Sequence, residues 1–263
     1  MTITGTRYRL VALIIGASVW AVEPMPDAIK TVGVTEKVGQ LIPQQPSFTN
    51  SRGYTAPLSE HMVADKPILL NFVYFNCPML CHLILDGLQQ SLEKMDTKTL
   101  KGMQVISMSF DPRDKYNHAA KFEARYRETV DPILDWSFLV GEADAIQQVT
   151  DASGFYYRYD ETINEYAHGS VLVAISPDGK IQRYIYGIEY DPFDLKMALL
   201  ETNPTNSKSL VEGFLLFCYT YDSSANSYVL QAQQIMKLGA GFVAIVLMGL
   251  IVYLGLSNRR NRV

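Results

Sequence analysis

NCPMLCHLILD, Asn76 to Asp86, directly follows Ile68 to Phe75 (ILLNFVYF), the most apolar run in the body of the chain. A continuous apolar run of β-branched and aromatic residues, entered through Asp65-Lys66-Pro67, reads as a buried central strand. Pro78 suits the first position of a helix, where a missing N–H costs nothing. Leu80, Leu83, Ile84 and Leu88 then recur at helical spacing. Cys77 therefore stands at the cap of a strand-to-helix junction, with Cys81 one turn on. A spacing of four puts both on one helix face, about 6 Å apart along the axis at ~1.5 Å per residue. A helix N-terminus supplies partial positive charge and free N–H groups, which lower a thiol's pKa. The residues alone leave three readings open. The pair does thiolate chemistry or holds a soft metal ion, or it is two buried core cysteines, or it is a structural disulfide. The last needs a distorted first turn, because i and i+4 side chains of a relaxed helix lie too far apart for a sulfur–sulfur bond.

Outward from this junction the pattern alternates. Before it, Val22 to Ser47 reads as an extended segment laid over a domain. Ser47 to Thr49 and Tyr54-Thr55 then flank Asn50-Ser51-Arg52-Gly53 as a hairpin. After it, the cysteine helix runs to about Met95 and Met103 to Phe110 is a second buried strand, ending in Asp111-Pro112-Arg113-Asp114. Asn117 to Glu128 is a helix, Trp136 to Val140 a strand, Glu142 to Ala152 a helix and Phe155 to Tyr159 a short strand. Ser170 to Ser176 and Lys180 to Tyr186 flank the turn Pro177-Asp178-Gly179. Asp191 caps a last helix with Pro192 at its first position, ending near Glu201. Strand–helix three times over, then a hairpin and a helix, predicts an α/β sandwich around a central sheet.

The chain has 263 residues, 48% hydrophobic and 19% charged, with net charge −4. That is room for one ordinary domain plus extras, and without a basic cluster nucleic acid is not an expected partner. Arg7 and Arg9 precede Leu10 to Trp20, an apolar stretch of eleven residues, and Val19-Trp20-Ala21 resembles a signal-peptidase site. That run is too short to span a bilayer and suits a signal peptide; an uncleaved anchor is the alternative. Export would place the body in an oxidising compartment. Leu238 to Leu256 is nineteen residues without a charge, followed by Arg259, Arg260 and Arg262. Such a run spans a membrane and leaves its basic tail on the cytoplasmic side. The expected layout is a signal peptide over 1–21, a domain over 22–202, a juxtamembrane region over 203–237, a transmembrane helix over 238–256 and a cytoplasmic tail over 257–263. The body then sits on the periplasmic, extracytoplasmic side of the inner membrane. Residues 210–237 suggest no role.

Among the other candidates for chemistry, Cys218 lies in an apolar stretch and reads as buried core. His61 and His118 have polar neighbours and read as surface residues. His82 adjoins Cys81 but points about 100° away around a helix of ~3.6 residues per turn. His168 lies in the loop Tyr166-Ala167-His168-Gly169, before the apolar strand Val171 to Ile175. That loop is positioned to meet the start of the cysteine helix, although a structural histidine would fit there equally.

Taken in order, three motifs resemble the Sco/SenC family. They are CPMLC after an apolar strand, SFDPRD (Ser109 to Asp114) after the second strand, and His168 followed by an apolar strand and PDGK (Pro177 to Lys180). The resemblance covers roughly Gly39 to Leu200. It implies a thioredoxin-like sandwich with a central mixed sheet, to which this chain adds one C-terminal transmembrane helix. It implies copper bound by Cys77, Cys81 and His168, delivered to the binuclear copper site of cytochrome c oxidase, with subunit II as partner. Thiol–disulfide exchange on that subunit is the associated possibility. Two features depart from the family: His82 stands where proline often follows the second cysteine, and the anchor is C-terminal rather than N-terminal.

The chemistry agrees with the resemblance. Two thiolates suit Cu(I), and an added imidazole also holds Cu(II). The alternative is a membrane-tethered thiol–disulfide oxidoreductase in which Cys77 and Cys81 are catalytic. A thioredoxin-type reductase, however, usually has CxxC and a proline before the facing strand, where this chain has CxxxC and Ala167-His168-Gly169. An assembly factor with an inert disulfide is the third reading.

Overall fold

The computed structural model describes residues 32–77, 80–127, 130, 134–202, 210–222 and 225–260. The expected signal peptide, Pro78 and the expected break at Asn203 to Ser209 lie outside the described residues. One sheet organises the body: β1 (Ser47–Asn50), β2 (Thr55–Pro57), β3 (Ile68–Val73), β4 (Gln104–Ser109), β5 (Asp135–Gly141), β6 (Val171–Ile175) and β7 (Ile181–Tyr186). Their order across the sheet is β7-β6-β3-β4-β5-β1-β2. The central three run parallel, with Leu70 opposite Ile106 and Ile106 opposite Ser137. The flanking strands are antiparallel to their neighbours.

Parallel neighbours need crossovers, and helices α1 (Leu80–Leu92) and α2 (Tyr116–Arg127) lie on the β3–β4 and β4–β5 connections, while α3 (Ala143–Ala152) follows β5. Every residue of β3, β4 and β6 is buried, as continuous apolar runs covered on both faces must be. The fold is the mixed, thioredoxin-like sandwich that the sequence predicts. Its core joins β3, β4 and β6 to Leu85, Leu88 and Leu92 of α1 and to Phe122 and Tyr126 of α2. After β7, helix α4 (Pro192–Thr202) begins where the Asp191 side chain accepts the N–H of Phe193 at 2.7 Å. That is the expected cap.

Two local differences matter for the site. The short strand expected over Phe155 to Tyr159 is split. Phe155–Tyr156 pairs with Gly33–Val34, while Arg158–Asp160 pairs with Glu165–Ala167 in a separate hairpin. The first part of the loop expected before β6 is therefore strand, and it delivers His168 from a fixed edge. Further on, Gly87 of α1 faces the loop after β7 so closely that a Cβ there would lie 1.8 Å from the carbonyl oxygen of Ile188. The cysteine helix thus seats against main chain, and Tyr190 accepts a hydrogen bond from Ser91 of the same helix.

The region without an expected role has structure of its own. Helix α5 (Leu210–Cys218) leads into strands β8 (Tyr219–Asp222) and β9 (Ser227–Leu230), which pair antiparallel. This unit docks on the edge of the body. Asn226 accepts the N–H of Tyr186 at 3.0 Å and donates to its carbonyl at 2.6 Å, completing the open edge of β7. Tyr228 N–H donates to Asp194 at 2.9 Å, Tyr219 meets Phe193 edge-on at 5.0 Å, and the Arg183 guanidinium lies 4.7 Å from the Tyr221 ring centre. Cys218 is buried, as its neighbours predict. Last comes α6 (Ala232–Arg260), with an 18-residue window, Met236–Tyr253, of mean hydropathy 2.0 and no buried share. A core helix of that composition would be covered; this one is bare.

Candidate metal centre

At the end of β3 the chain must leave a buried sheet without orphaning its polar groups. Phe110 N–H reaches the Val73 carbonyl at 2.9 Å, and Cys77 N–H closes a turn on the Tyr74 carbonyl at 3.3 Å. Tyr74 N–H donates to Sγ of Cys81 at 3.4 Å, and Phe75 N–H to Oδ2 of Asp114 at 2.6 Å. Both cysteines are buried and are not joined by a disulfide. Sγ of Cys77 accepts the N–H of Cys81 at 3.3 Å, so the first thiol folds over the start of the helix.

His168 approaches from the opposite side. Its Nε2 lies 3.9 Å from Sγ of Cys81, and its Nδ1 is 2.8 Å from the carbonyl oxygen of Gly169. A carbonyl only accepts, so Nδ1 carries the ring proton and Nε2 turns its lone pair towards the thiol. The ring is held edge-on against Phe110 at 5.0 Å and Tyr74 at 5.9 Å. Burial lowers the pKa of His168, against the Gly169 hydrogen bond that favours the proton. It is a neutral imidazole with one nitrogen on offer.

Burial pushes the Cys81 thiol well above its ordinary range, and the neighbouring Cys77 thiol adds to the rise. The lowering expected from a helix N-terminus is outweighed at Cys81 by desolvation. Sγ of Cys81 and Nε2 of His168 face each other across 3.9 Å. Tyr74, also raised by burial and then by its contact with Cys77, closes the same corner. Two donors of one ion, each bonded at about 2.0–2.3 Å, stand roughly 3.5–4 Å apart, which is the separation seen between Cys81 and His168. Among the described residues no three Cys, His, Asp or Glu side chains are gathered as a ready metal cluster. The structure therefore brings two of the three expected donors face to face and sets the third, Cys77, against Cys81.

The remaining histidines are engaged elsewhere. His82 stacks on Phe122 at 4.9 Å and its Nδ1 lies 3.2 Å from the Tyr126 hydroxyl. His61 is not a surface residue: it is buried, with Nε2 2.9 Å from the Phe48 carbonyl. His118 is half-buried and sits 3.1 Å from Oδ1 of Asp114.

Residues of SFDPRD hold the two sides of this centre. Asp114 accepts from Phe75 N–H, from the Ser109 hydroxyl at 2.6 Å and on its other oxygen faces His118. Asp111 takes a paired contact from Arg113 (Nε at 2.9 Å, Nη2 at 2.8 Å) and the Tyr166 hydroxyl at 3.2 Å. Asp114 thus fixes the turn into Cys77, and Asp111 fixes the hairpin that ends in His168. A crevice of about 350 Å³ opens above, lined by Tyr74, Asn76, Arg113, Ile163, Asn164 and Glu165.

A family model described as SCO1/SenC matches residues 37–200 of this chain. The SCO1 protein homolog of Bacillus subtilis (strain 168) is 26% identical over 151 residues, covering 56% of this chain and 75% of that protein. A putative electron transfer protein from Aquifex aeolicus VF5 superposes with a TM-score of 0.56 at 26% identity, over 65% of this chain and 97% of that one. BsSco, a member of the Sco family of cytochrome c oxidase assembly proteins in which a disulfide switch was identified, superposes with a TM-score of 0.52. It is 22% identical and covers 65% of this chain and 99% of its own; at that identity the likeness speaks for the fold.

Proposed function

The chain belongs to the SCO1/SenC family, and from that premise we propose that it is a membrane-anchored copper carrier whose cargo is held by Cys77, Cys81 and His168. The observation that carries this reading is the His168 ring: its Nδ1–H is spent on the Gly169 carbonyl, and its bare Nε2 faces the Cys81 thiol. A metal-bound histidine characteristically gives its second ring N–H to a carbonyl or carboxylate, and this one is already so arranged. Loading requires that both thiols lose their protons, and that the Cys77 side chain turn from the Cys81 N–H towards the other two. Two thiolates and one imidazole accept both copper oxidation states. Because His168 comes from a hairpin rather than from α1, one donor can withdraw without unfolding the other two, which suits a carrier.

The client we propose is the binuclear copper site of cytochrome c oxidase, on its subunit II, approached through the crevice at Asn76 and Arg113. Helix α6 is the membrane anchor, with Arg259, Arg260 and Arg262 on the cytoplasmic side and the body on the periplasmic side. Its bare apolar window supports the anchoring.

A second reading rests on the contact between the two thiols. Attack of the Cys77 or Cys81 thiolate on a client disulfide, then displacement by the other cysteine, leaves a Cys77–Cys81 disulfide and a client dithiol. His168 is not needed for that exchange.

Copper titration of the purified protein separates the two readings. His168→Ala should abolish stable Cu(II) binding and weaken Cu(I) binding, by at least the roughly 10–100-fold that loss of an outer partner already costs. It should leave the dithiol able to reduce a small disulfide. Cys77→Ser or Cys81→Ser should remove both activities. Binding of both copper states by His168→Ala at the parent's affinity would transfer the lead to the oxidoreductase reading.

A further inference from the structure

Helix α5 turns two different faces outward and inward. Leu215 and Leu216 pack on the core and Cys218 is buried. Val211, Phe214 and Phe217 recur every third residue on the other side and are 67%, 56% and 42% exposed. Three large apolar side chains in line on one helix face are a surface that wants a partner. The only charge on the helix, Glu212, is drawn aside to Lys98 at 3.7 Å.

What covers this face is argued by what it continues into. Helices α5 and α6 touch. Leu230, at the end of β9 and just ahead of α6, is 51% exposed, and the window Met236–Tyr253 is bare throughout. The exposed apolar face of α5 thus belongs to an element that adjoins the bare apolar helix α6. We propose that α5 is an interfacial helix, lying along the headgroup–acyl boundary of the leaflet that the body faces, with Val211, Phe214 and Phe217 in lipid. This rests on the reading of α6 as the membrane span. A helix that shows aromatic and aliphatic side chains on one face while its other side is held by the body can lie in that plane.

The consequence is an orientation for the copper site. The hairpin between α5 and α6 is bonded through Asn226 to both main-chain groups of Tyr186, and Tyr186 lies opposite Val171, the first residue of β6 after the His168 loop. A span alone leaves the body free to swivel on its tether. A second contact through α5 holds the His168 edge at a fixed attitude to the bilayer, as hand-over to a membrane-embedded client requires.

The test uses the full chain in phosphatidylcholine vesicles whose acyl chains are brominated either near the headgroup or near the bilayer centre. Phe214→Trp and Ile245→Trp are each read as the emission added over the parent. Ile245→Trp reports the span and should be quenched roughly twofold by the deep label. Phe214→Trp should be blue-shifted and quenched by a similar, roughly twofold factor by the shallow label and less by the deep one. If Ile245→Trp is not quenched, the anchor reading itself fails. If it is quenched while Phe214→Trp is quenched by neither label, the anchor stands and the interfacial helix is refuted. Unquenched blue-shifted emission would then mean a protein cover, such as a second copy, and unquenched red emission a face in water.

Discussion

Asp114 is buried, and its two oxygens meet Phe75 N–H, the Ser109 hydroxyl and His118. Asp114→Ala leaves a buried main-chain N–H without an acceptor next to Cys77. The expected loss is about 2–4 kcal/mol of stability by urea denaturation, the cost of a charged hydrogen bond plus an orphaned donor. Copper affinity should fall with it, as the turn that sets Cys77 loosens. Asp114→Asn retains an acceptor and should lose less of both. The cysteines were legible because CPMLC is a local pattern at a strand-to-helix boundary. The work of Asp114 was not, because it depends on the parallel register of β3 and β4, which sets Asp114 beside Phe75. His61 shows the same limit: its sequence neighbours are polar, yet the packing of β1 buries it against Phe48. Cys81 shows another, since the helix-end effect on its thiol was readable and the burial that overrides it was not.

On the scale of elements, the cysteine helix is seated by Gly87. Gly87→Ala must displace the main chain at Ile188, since the added Cβ falls 1.8 Å from its carbonyl oxygen. Overpacking of that kind costs about 1–3 kcal/mol, to be read as a lower denaturation midpoint. A second prediction concerns the latch between α4 and β9. Burial raises the pKa of Asp194, opposed by the hydrogen bond from Tyr228 N–H. A carboxyl with a raised folded pKa favours the native state most below its unfolded pKa, and that advantage is lost as pH rises through the folded value. Asp194→Asn keeps an acceptor without the charge. It should therefore gain on the parent at neutral pH, with the gap closing in acid, in parallel thermal melts across pH. Asp194→Ala should cost about 1–3 kcal/mol in acid by freeing a buried N–H, and less at neutral pH, where the parent also bears the cost of the buried charge. The strands and helices of the sandwich were legible from periodicity. The Glu165–Ala167 strand was not, being three residues with no alternation, and the docking of the hairpin on β7 arises from tertiary contacts that leave no period in the sequence.

For the whole molecule, the thioredoxin-like body meets the proposed C-terminal anchor through a folded unit rather than a slack linker. Deleting the chain from Ala232 onward should release the body from membranes under washes that leave integral proteins in place. Deleting from Leu210 onward should in addition lower Tm, because Cys218 and Tyr228 are buried parts of the body's edge. At this size each kcal/mol lost is about 2–4 °C. An equal Tm for the two truncations would mean that the unit is a passive tether. A reporter fused after Val263 should behave as cytoplasmic, and an extracytoplasmic signal would reverse the proposed topology.

X-ray absorption at the copper edge of the loaded protein reads the proposed ligand set directly. Two sulfur neighbours and one imidazole nitrogen are expected, with the nitrogen missing from His168→Ala and a sulfur missing from Cys77→Ser or Cys81→Ser. A spectrum without sulfur, or one that His168→Ala leaves unchanged, would contradict it.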